Sequence, residues 1–185
     1  MAHIDLDDGI PGLPSLLRFR PETAGPLSAL AETLLRGPGP LEPGERELIA
    51  AYVSELNDCR FCASSHSACA AAQLPGGTTL VRQVHADPGA APIPDRLRAL
   101  LAIAAAVQRG GKEVGEEHVK AARDAGATDV EIHDTVLIAA AFCMYNRYVD
   151  GLATSLPADE DAYRQMAERI VAHGYGGASS ARVRR

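Results

Sequence analysis

An all-α fold is what this sequence predicts, and three observations carry that expectation. Apolar residues recur at helical spacing along most of the chain, as in Leu48, Ile49, Tyr52, Val53 and Leu56. No segment shows convincing period-two alternation, so little or no sheet is expected. With 46% hydrophobic residues, no Trp and 4% aromatics, the core has to come from Ala, Leu, Ile and Val, and alanine lets helices pack closely. At 185 residues the chain is long enough for one domain with a substantial core. We expect an N-terminal arm at residues 1–26, a helical domain at 27–173 and a flexible tail at 174–185.

The elements follow in order. Residues 1–25 hold Pro11, Pro14, Pro21 and several glycines, which suggests an extended arm packed on the body or on a neighbouring subunit. Leu27 to Leu35 reads as a first helix, ended by Gly37-Pro38-Gly39-Pro40. Glu45 to Leu56 reads as a second, and Asn57-Asp58 then breaks the pattern with side chains suited to capping a third helix that begins near Cys59 and runs to Leu74. The loop-rich stretch from Pro75 to Pro94 holds one short helical segment at Thr79 to His85. Pro94 opens a helix over Asp95 to Gln108, stopped by Gly110-Gly111. Glu116 to Ala125 is a short helix, and Thr128-x-x-Glu131 is a capping box opening a long one through about Leu152. Pro157 stops it, Asp159 to His173 forms the last helix, and Gly174 to Arg185 reads as frayed.

Chemistry concentrates at Cys59-Arg60-Phe61-Cys62, with His66 one helical turn beyond and Glu47 twelve residues ahead of Cys59. Both thiols fall in a first helical turn, where unpaired N–H groups and the positive end of the dipole favour a thiolate below the roughly 8.5 of a free cysteine. Two cysteines three apart share a face and can close a short disulfide ring. His66, four residues after Cys62, lies on the same face and is placed to exchange a proton with that sulfur. A helical hairpin about Asn57-Asp58 returns Glu47 alongside His66, where a carboxylate orients an imidazole and raises its basicity. The helix dipole alone favours Cys59 as the more acidic thiol.

Net charge is −6, and the basic residues cluster only at Arg182 to Arg185, which argues against a nucleic-acid partner. No apolar run reaches the roughly 18 residues a membrane span needs. The longest, around Val136 to Met144, falls well short. Met1 to Asp8 is acidic and lacks an apolar stretch, so it does not read as a secretory signal. A cytoplasmic protein is expected, in which a CxxC pair is catalytic or metal-binding more often than a structural staple.

Glu47, eleven residues, then Cys59-x-x-Cys62-x-x-x-His66 resembles the core motif of the AhpD-like alkylhydroperoxidases, within the carboxymuconolactone decarboxylase superfamily. The flanks Leu41-x-Pro43-x-Glu45-Arg46-Glu47-Leu48-Ile49-Ala50 and Asn57-x-Cys59 are similar to its peroxidase-related branch. The strict motif spans 20 residues, and a looser likeness runs from about Leu27 to Leu156.

The resemblance implies an all-helical fold assembled as a homo-oligomer, a trimer or hexamer, and thiol-dependent reduction of hydroperoxides. Cys62 would be the peroxidatic thiol and Cys59 the resolving one, with Glu47 and His66 relaying protons. The partners implied are a hydroperoxide substrate and a thiol reductant or reductase protein, with no flavin, haem or metal demanded. Some members carry a second histidine directly before the second cysteine; Phe61 stands there in this chain, which implies a less developed relay.

Several plainer readings stand beside these. A lyase resembling carboxymuconolactone decarboxylase would not need the two cysteines. A non-catalytic dithiol sensor would use the same disulfide to change subunit contacts. Cys59, Cys62, His66 and Cys69 supply four soft ligands for zinc, but four ligands along one straight helix do not easily surround a metal. Cys69 and Cys143 read as core thiols, Glu47 as a plain surface carboxylate paired with a neighbouring arginine, a role Glu45 would fill equally well, and Asn146, Arg147, Tyr148 and Asp150 as a subunit contact or pocket rim. Residues 46–50 and 98–102 form a weak internal repeat at an offset of 52, which carries His66 to His118 but leaves Ala99, Gly111 and Val114 in place of Glu47 and the cysteines. Only the first copy retains the chemistry.

Overall fold

The computed structural model describes residues 1–7 and 9–178, and among them the chain runs through nine α-helices with no strand. They are α1 (Leu13–Phe19), α2 (Pro21–Arg36), α3 (Pro43–Leu56), α4 (Arg60–Gln73), α5 (Gly77–Ala86), α6 (Asp95–Arg109), α7 (Glu116–Asp124), α8 (Asp129–Gly151) and α9 (Asp161–His173). Short 3-10 turns stand at Gly111–Glu113 and Tyr175–Ala178. None of these helices is long and apolar enough to cross a membrane.

The N-terminal segment departs from the expected extended arm. It holds α1 and the first turns of α2, and Pro26 lies inside α2. Pro14 and Pro21 occupy helix starts, where a missing N–H costs nothing, and Gly25 ahead of Pro26 has no Cβ to crowd the ring. Gly12 turns the chain into α1 with φ +65°, and a Cβ there would stand 2.2 Å from the Phe61 ring. The arm therefore seats against the CxxC segment through a position that glycine alone fills without strain. At the other end, the segment expected to be a frayed tail begins with a 3-10 turn at Tyr175–Ala178, while residues 179–185, including the basic cluster, lie outside the described residues.

Local chemistry explains the hairpin that carries the motif. Pro43 starts α3, and the Glu45 side chain accepts from the Glu42 N–H at 3.0 Å in a capping box. The α3–α4 connection differs by one residue from the sequence expectation. Asp58 takes a left-handed φ of +56°, and Cys59 itself is the N-cap of α4, its N–H bonded to the Ser54 carbonyl at 3.0 Å. Cys59 thus sits just outside the helix and Cys62 in its first turn. The Thr128 capping box forms as expected, Thr128 donating its N–H to Glu131 at 2.7 Å. Arg96 then ties the two capping-box glutamates together, 2.6 Å from Glu45 and also paired with Glu131.

The main core lies between α3, α6 and α8, built from Leu48, Ile49, Leu100, Leu101, Ile103, Ile138 and Phe142, all 2% exposed or less. Fully burying each such side chain stabilises by about 1.5–3 kcal/mol. Two smaller clusters flank α4. Leu16, Cys59, Phe61, Cys62 and Val149 form one under the arm, and Cys69, Ala167 and Ile170 form the other against α9.

The internal repeat has a structural counterpart. Arg46 and Arg98 each stand at the fourth position of their helices and turn back onto the preceding loop. Arg46 donates to the carbonyls of Leu41 at 2.7 Å and Gly37 at 2.6 Å; Arg98 donates to those of Gly89 at 3.1 Å and Ala91 at 2.9 Å. The ends of the two helices also meet, Gln108 donating to the Leu56 carbonyl at 3.2 Å.

Candidate functional site

Close packing of α3 on α4 sets Glu47 beside His66, whose Nδ1 lies 2.7 Å from Glu47 Oε2. A carboxylate only accepts, so Nδ1 carries the proton and Nε2 keeps the lone pair in the neutral ring. Glu47 is 1% exposed, and Phe142 of α8 packs edge-on to the imidazole with centroids 4.5 Å apart. Burial pulls the His66 proton affinity down. The charge of Glu47, its hydrogen bond and the charge of Cys62 together outweigh that, leaving the imidazole above its ordinary value.

Cys59 and Cys62 are free thiols, 0% and 3% exposed. Their environments separate their acidities. Cys62 is held below the ordinary thiol range, foremost because Cys59 donates to it; burial opposes this, and the positive His66 and an Asn146 hydrogen bond support it. Cys59 is pushed up, foremost by that same hydrogen bond and then by burial. Asp150, near the end of α8, faces the Cys59 proton as well and is itself raised by burial. The helix dipole favours Cys59, whereas the Cys59–Cys62 hydrogen bond favours the thiolate on Cys62. An N-cap residue stands just outside the first turn, and the specific hydrogen bonds and the imidazole converge on Cys62.

Two residues that sequence reasoning placed elsewhere belong to this site. Asn146 is no rim residue: it is 1% exposed, donates to Ser54 Oγ at 3.0 Å and accepts from Asn57 at 2.8 Å, and it helps hold Cys62 below the ordinary thiol range. Tyr175, from the expected frayed tail, donates its hydroxyl to Glu47 Oε1 at 2.6 Å and lies 3.4 Å from His66 Nδ1. Burial, then the charge of Glu47, hold this phenol well above its ordinary range, so it keeps its proton. An Asn on the same α8 face as Phe142, Tyr145 and Val149 was a readable signal of a buried polar contact; a lone Tyr among tail glycines was a fainter one.

The remaining thiols and histidines separate from the site. Cys69 faces Tyr175 and packs with Ala167 and Ile170, apart from the Cys59–Cys62 cluster, and burial pushes its thiol up. Among the described residues, no three His, Cys, Asp or Glu side chains converge on a metal position. Cys143 accepts a hydrogen bond from Asn57 at 3.6 Å. His118 accepts from the Gly115 N–H at 3.2 Å, a capping contact at the start of α7. Of the two α3 carboxylates it is Glu45 that pairs with an arginine, Arg96, while Glu47 is buried against His66 and Tyr175.

Against known proteins, the model of the carboxymuconolactone decarboxylase family matches residues 21–73 and 80–154, most of the chain. The chain belongs to that family. Among solved structures, this carboxymuconolactone decarboxylase family member is similar to an uncharacterized peroxidase-related protein from Silicibacter sp. TM1040, with 29% identity over 84% of this chain and 79% of that one and a TM-score of 0.74. It is equally similar to a protein from Ralstonia eutropha JMP134 described as an alkylhydroperoxidase AhpD core and an uncharacterized peroxidase-related protein. There the identity is 29%, the coverage 85% and 81%, and the TM-score 0.75. No curated protein matches the chain. Family and neighbours agree with the AhpD-like all-α fold that the motif implied.

Proposed function

We propose that this family member is a dithiol peroxidase that reduces hydroperoxides through Cys62 and Cys59. The observation that carries the reading is a buried Glu47–His66 pair, 2.7 Å apart, one helical turn from the buried thiols of the CxxC. In the cycle, the Cys62 thiolate attacks the terminal oxygen of a hydroperoxide. The O–O bond breaks, the alcohol leaves with the proton of the His66 imidazolium, and Cys62 is left as a sulfenic acid. Cys59, its proton taken up by Asp150, then attacks that sulfur; the S–O bond breaks and the hydroxide leaves as water with the proton that Asp150 gives back, closing the disulfide. An external dithiol returns the two electrons, and Glu47 holds His66 in the tautomer that takes up the next proton.

Access is set by the cluster over the sulfurs. Leu16 from α1, Phe61 and Val149 enclose the pair, with Leu6, Leu13 and Tyr163 around them, so a peroxide enters as these side chains shift. The lining is apolar, which favours alkyl over hydrogen peroxide. A homo-oligomer, trimer or hexamer, in the cytoplasm completes the reading. Val130, Leu137 and Met144, exposed at intervals of seven along α8, are consistent with such a contact.

The test is hydroperoxide consumption in the presence of a regenerating dithiol, with Cys62→Ser as control. Turnover by the wild type, abolished in the variant, is expected. No turnover with any of several peroxides, or full activity in the variant, overturns the proposal. The near-complete burial of both sulfurs favours one second reading, a redox switch in which the same disulfide loosens the α1 contact without consuming peroxide. Slow stoichiometric oxidation without turnover identifies that case.

A further inference from the structure

We infer that Tyr175 is a positioning residue of the Glu47–His66 pair, delivered to it by the C-terminal segment that follows α9; the inference rests on the dithiol reading of the site. Three contacts place it. Gly174 leaves α9 with φ +76°, a conformation glycine takes without strain, and the Glu32 carboxylate lies directly over it. The Tyr175 N–H donates to Glu32 Oε2 at 2.8 Å, which anchors the segment to α2. Beyond that anchor the Tyr175 ring lies nearly parallel to the imidazole, 21° between planes and centroids 6.1 Å apart, with its hydroxyl on Glu47 Oε1.

The two oxygens of Glu47 are thereby divided, Oε1 to Tyr175 and Oε2 to His66. A carboxylate fixed at both oxygens cannot rotate about its terminal bond, so Oε2 stays on Nδ1 and Nε2 remains the free base. The phenol also draws part of the carboxylate charge onto its own proton, which limits how firmly Glu47 holds His66 in the charged form. Tyr175 touches neither sulfur of the CxxC pair in this arrangement and acts through Glu47. The other titratable and charged groups around the ring are Cys62 and Cys69 on α4 and Glu32 and Arg36 on α2, while α8 presents Phe142 and α9 presents Ala167 and Ile170.

The test compares wild type, Tyr175→Phe, Glu47→Gln and the double variant in the full-length chain, reading the His66 titration by NMR and Cys62 alkylation against pH. Phenylalanine keeps the ring on His66 and removes only the donor. The His66 midpoint is expected to rise by about half a unit in Tyr175→Phe. In the Glu47→Gln background the same change has no effect, because the residue works through the carboxylate. Site-specific 3-fluorotyrosine at position 175, a stronger donor of nearly the same shape, moves the midpoint the opposite way and supplies the measurement if the Phe variant does not fold. An unchanged midpoint with a lowered melting temperature, the signature of a purely structural residue, overturns the inference. If the shifts appear while the wild type consumes no peroxide, the positioning role stands and the peroxidase reading is what fails.

Discussion

Glu47→Gln is the sharpest perturbation of this site, because it removes a charge and little volume. Glu47 is 1% exposed, and its charge and hydrogen bond raise His66 against a burial effect that acts the other way. A hydrogen bond to a charged group contributes about 1.5–3 kcal/mol, and one unit of pKa corresponds to about 1.36 kcal/mol. Only the part of that energy that differs between the charged and the neutral imidazole moves the titration, and with it removed burial dominates, so the variant is expected to lower the His66 midpoint from above roughly 6.5 to below it. Stability should follow with a definite sign. In the wild type the raised His66 contributes stability below its unfolded value of about 6.5, and that contribution is lost as pH rises through the folded value. In the variant the unfolded chain takes up the proton more readily than the folded one, so stability is lost as pH falls through about 6.5. Urea unfolding at pH 5.5 and pH 8 reads the difference, with the variant losing ground at the lower pH. Peroxide turnover is expected to fall about 10²-fold, the lower end for a positioned proton-transfer group. A His66 titration that is the same in both proteins would refute the electrostatic account of the pair.

Other outcomes follow from the same geometry. In Cys59→Ser the proposed resolving thiol is gone, so a sulfenic acid on Cys62 accumulates after one peroxide equivalent and is captured by a dimedone probe; absence of the adduct argues against Cys62 as the attacking sulfur. Cys62 in the wild type should alkylate with iodoacetamide at pH values where an ordinary thiol, near 8.5, is still protonated, and His66→Gln should move that profile upward. Leu16→Ala opens the cover over the sulfurs, so alkylation of Cys62 should quicken while stability falls by about 2–5 kcal/mol; an unchanged alkylation rate removes the arm from the access route. Gly12→Ala should destabilise by at least about 1–3 kcal/mol, since it meets both a positive φ and the Phe61 ring, and thermal unfolding reads it directly.

What could be read from the sequence was what is local. Glu47, Cys59, Cys62 and His66 lie within one helical hairpin, so helix period and a single turn bring them together without knowledge of any distant contact. Boundaries inside the hairpin were harder, because Asp58 adopts a left-handed conformation that moves the cap from Asn57 or Asp58 to Cys59. Proline content made the N-terminal segment look extended, although prolines at helix starts are as much a helix signal as a break. Tyr175 stayed hidden for another reason. Its partner His66 is 109 positions away, and no periodicity or spacing rule reaches across that distance. Asn146 stood on an apolar face, but its partners Ser54 and Asn57 come from α3 and the turn after it, and only packing of α8 on α3 reveals them.

The repeat explains why the chemistry resides in one half. Arg46 and Arg98 perform the same structural task in α3 and α6, gathering loop carbonyls, and Gln108 reaches Leu56, its own counterpart at the offset of 52. The frame is thus held in part by an arginine that both halves keep. The position after each arginine is where they part, Glu47 in the first half and Ala99 in the second. Ala99 is packed against the core but only half-buried, and a carboxylate there would lose part of its hydration unless an imidazole and a hydroxyl met it. In the first half those two partners are His66 and Tyr175. In the second, His118 stands one turn closer to its helix start than His66 and is occupied in capping Gly115. Glu47 is therefore tolerable only where α4 and the C-terminal segment both reach it, which makes the carboxylate, its histidine and its tyrosine one interdependent unit. Introducing Glu at position 99 alone should cost stability and create no second site, which thermal unfolding and thiol-independent peroxide assays would show.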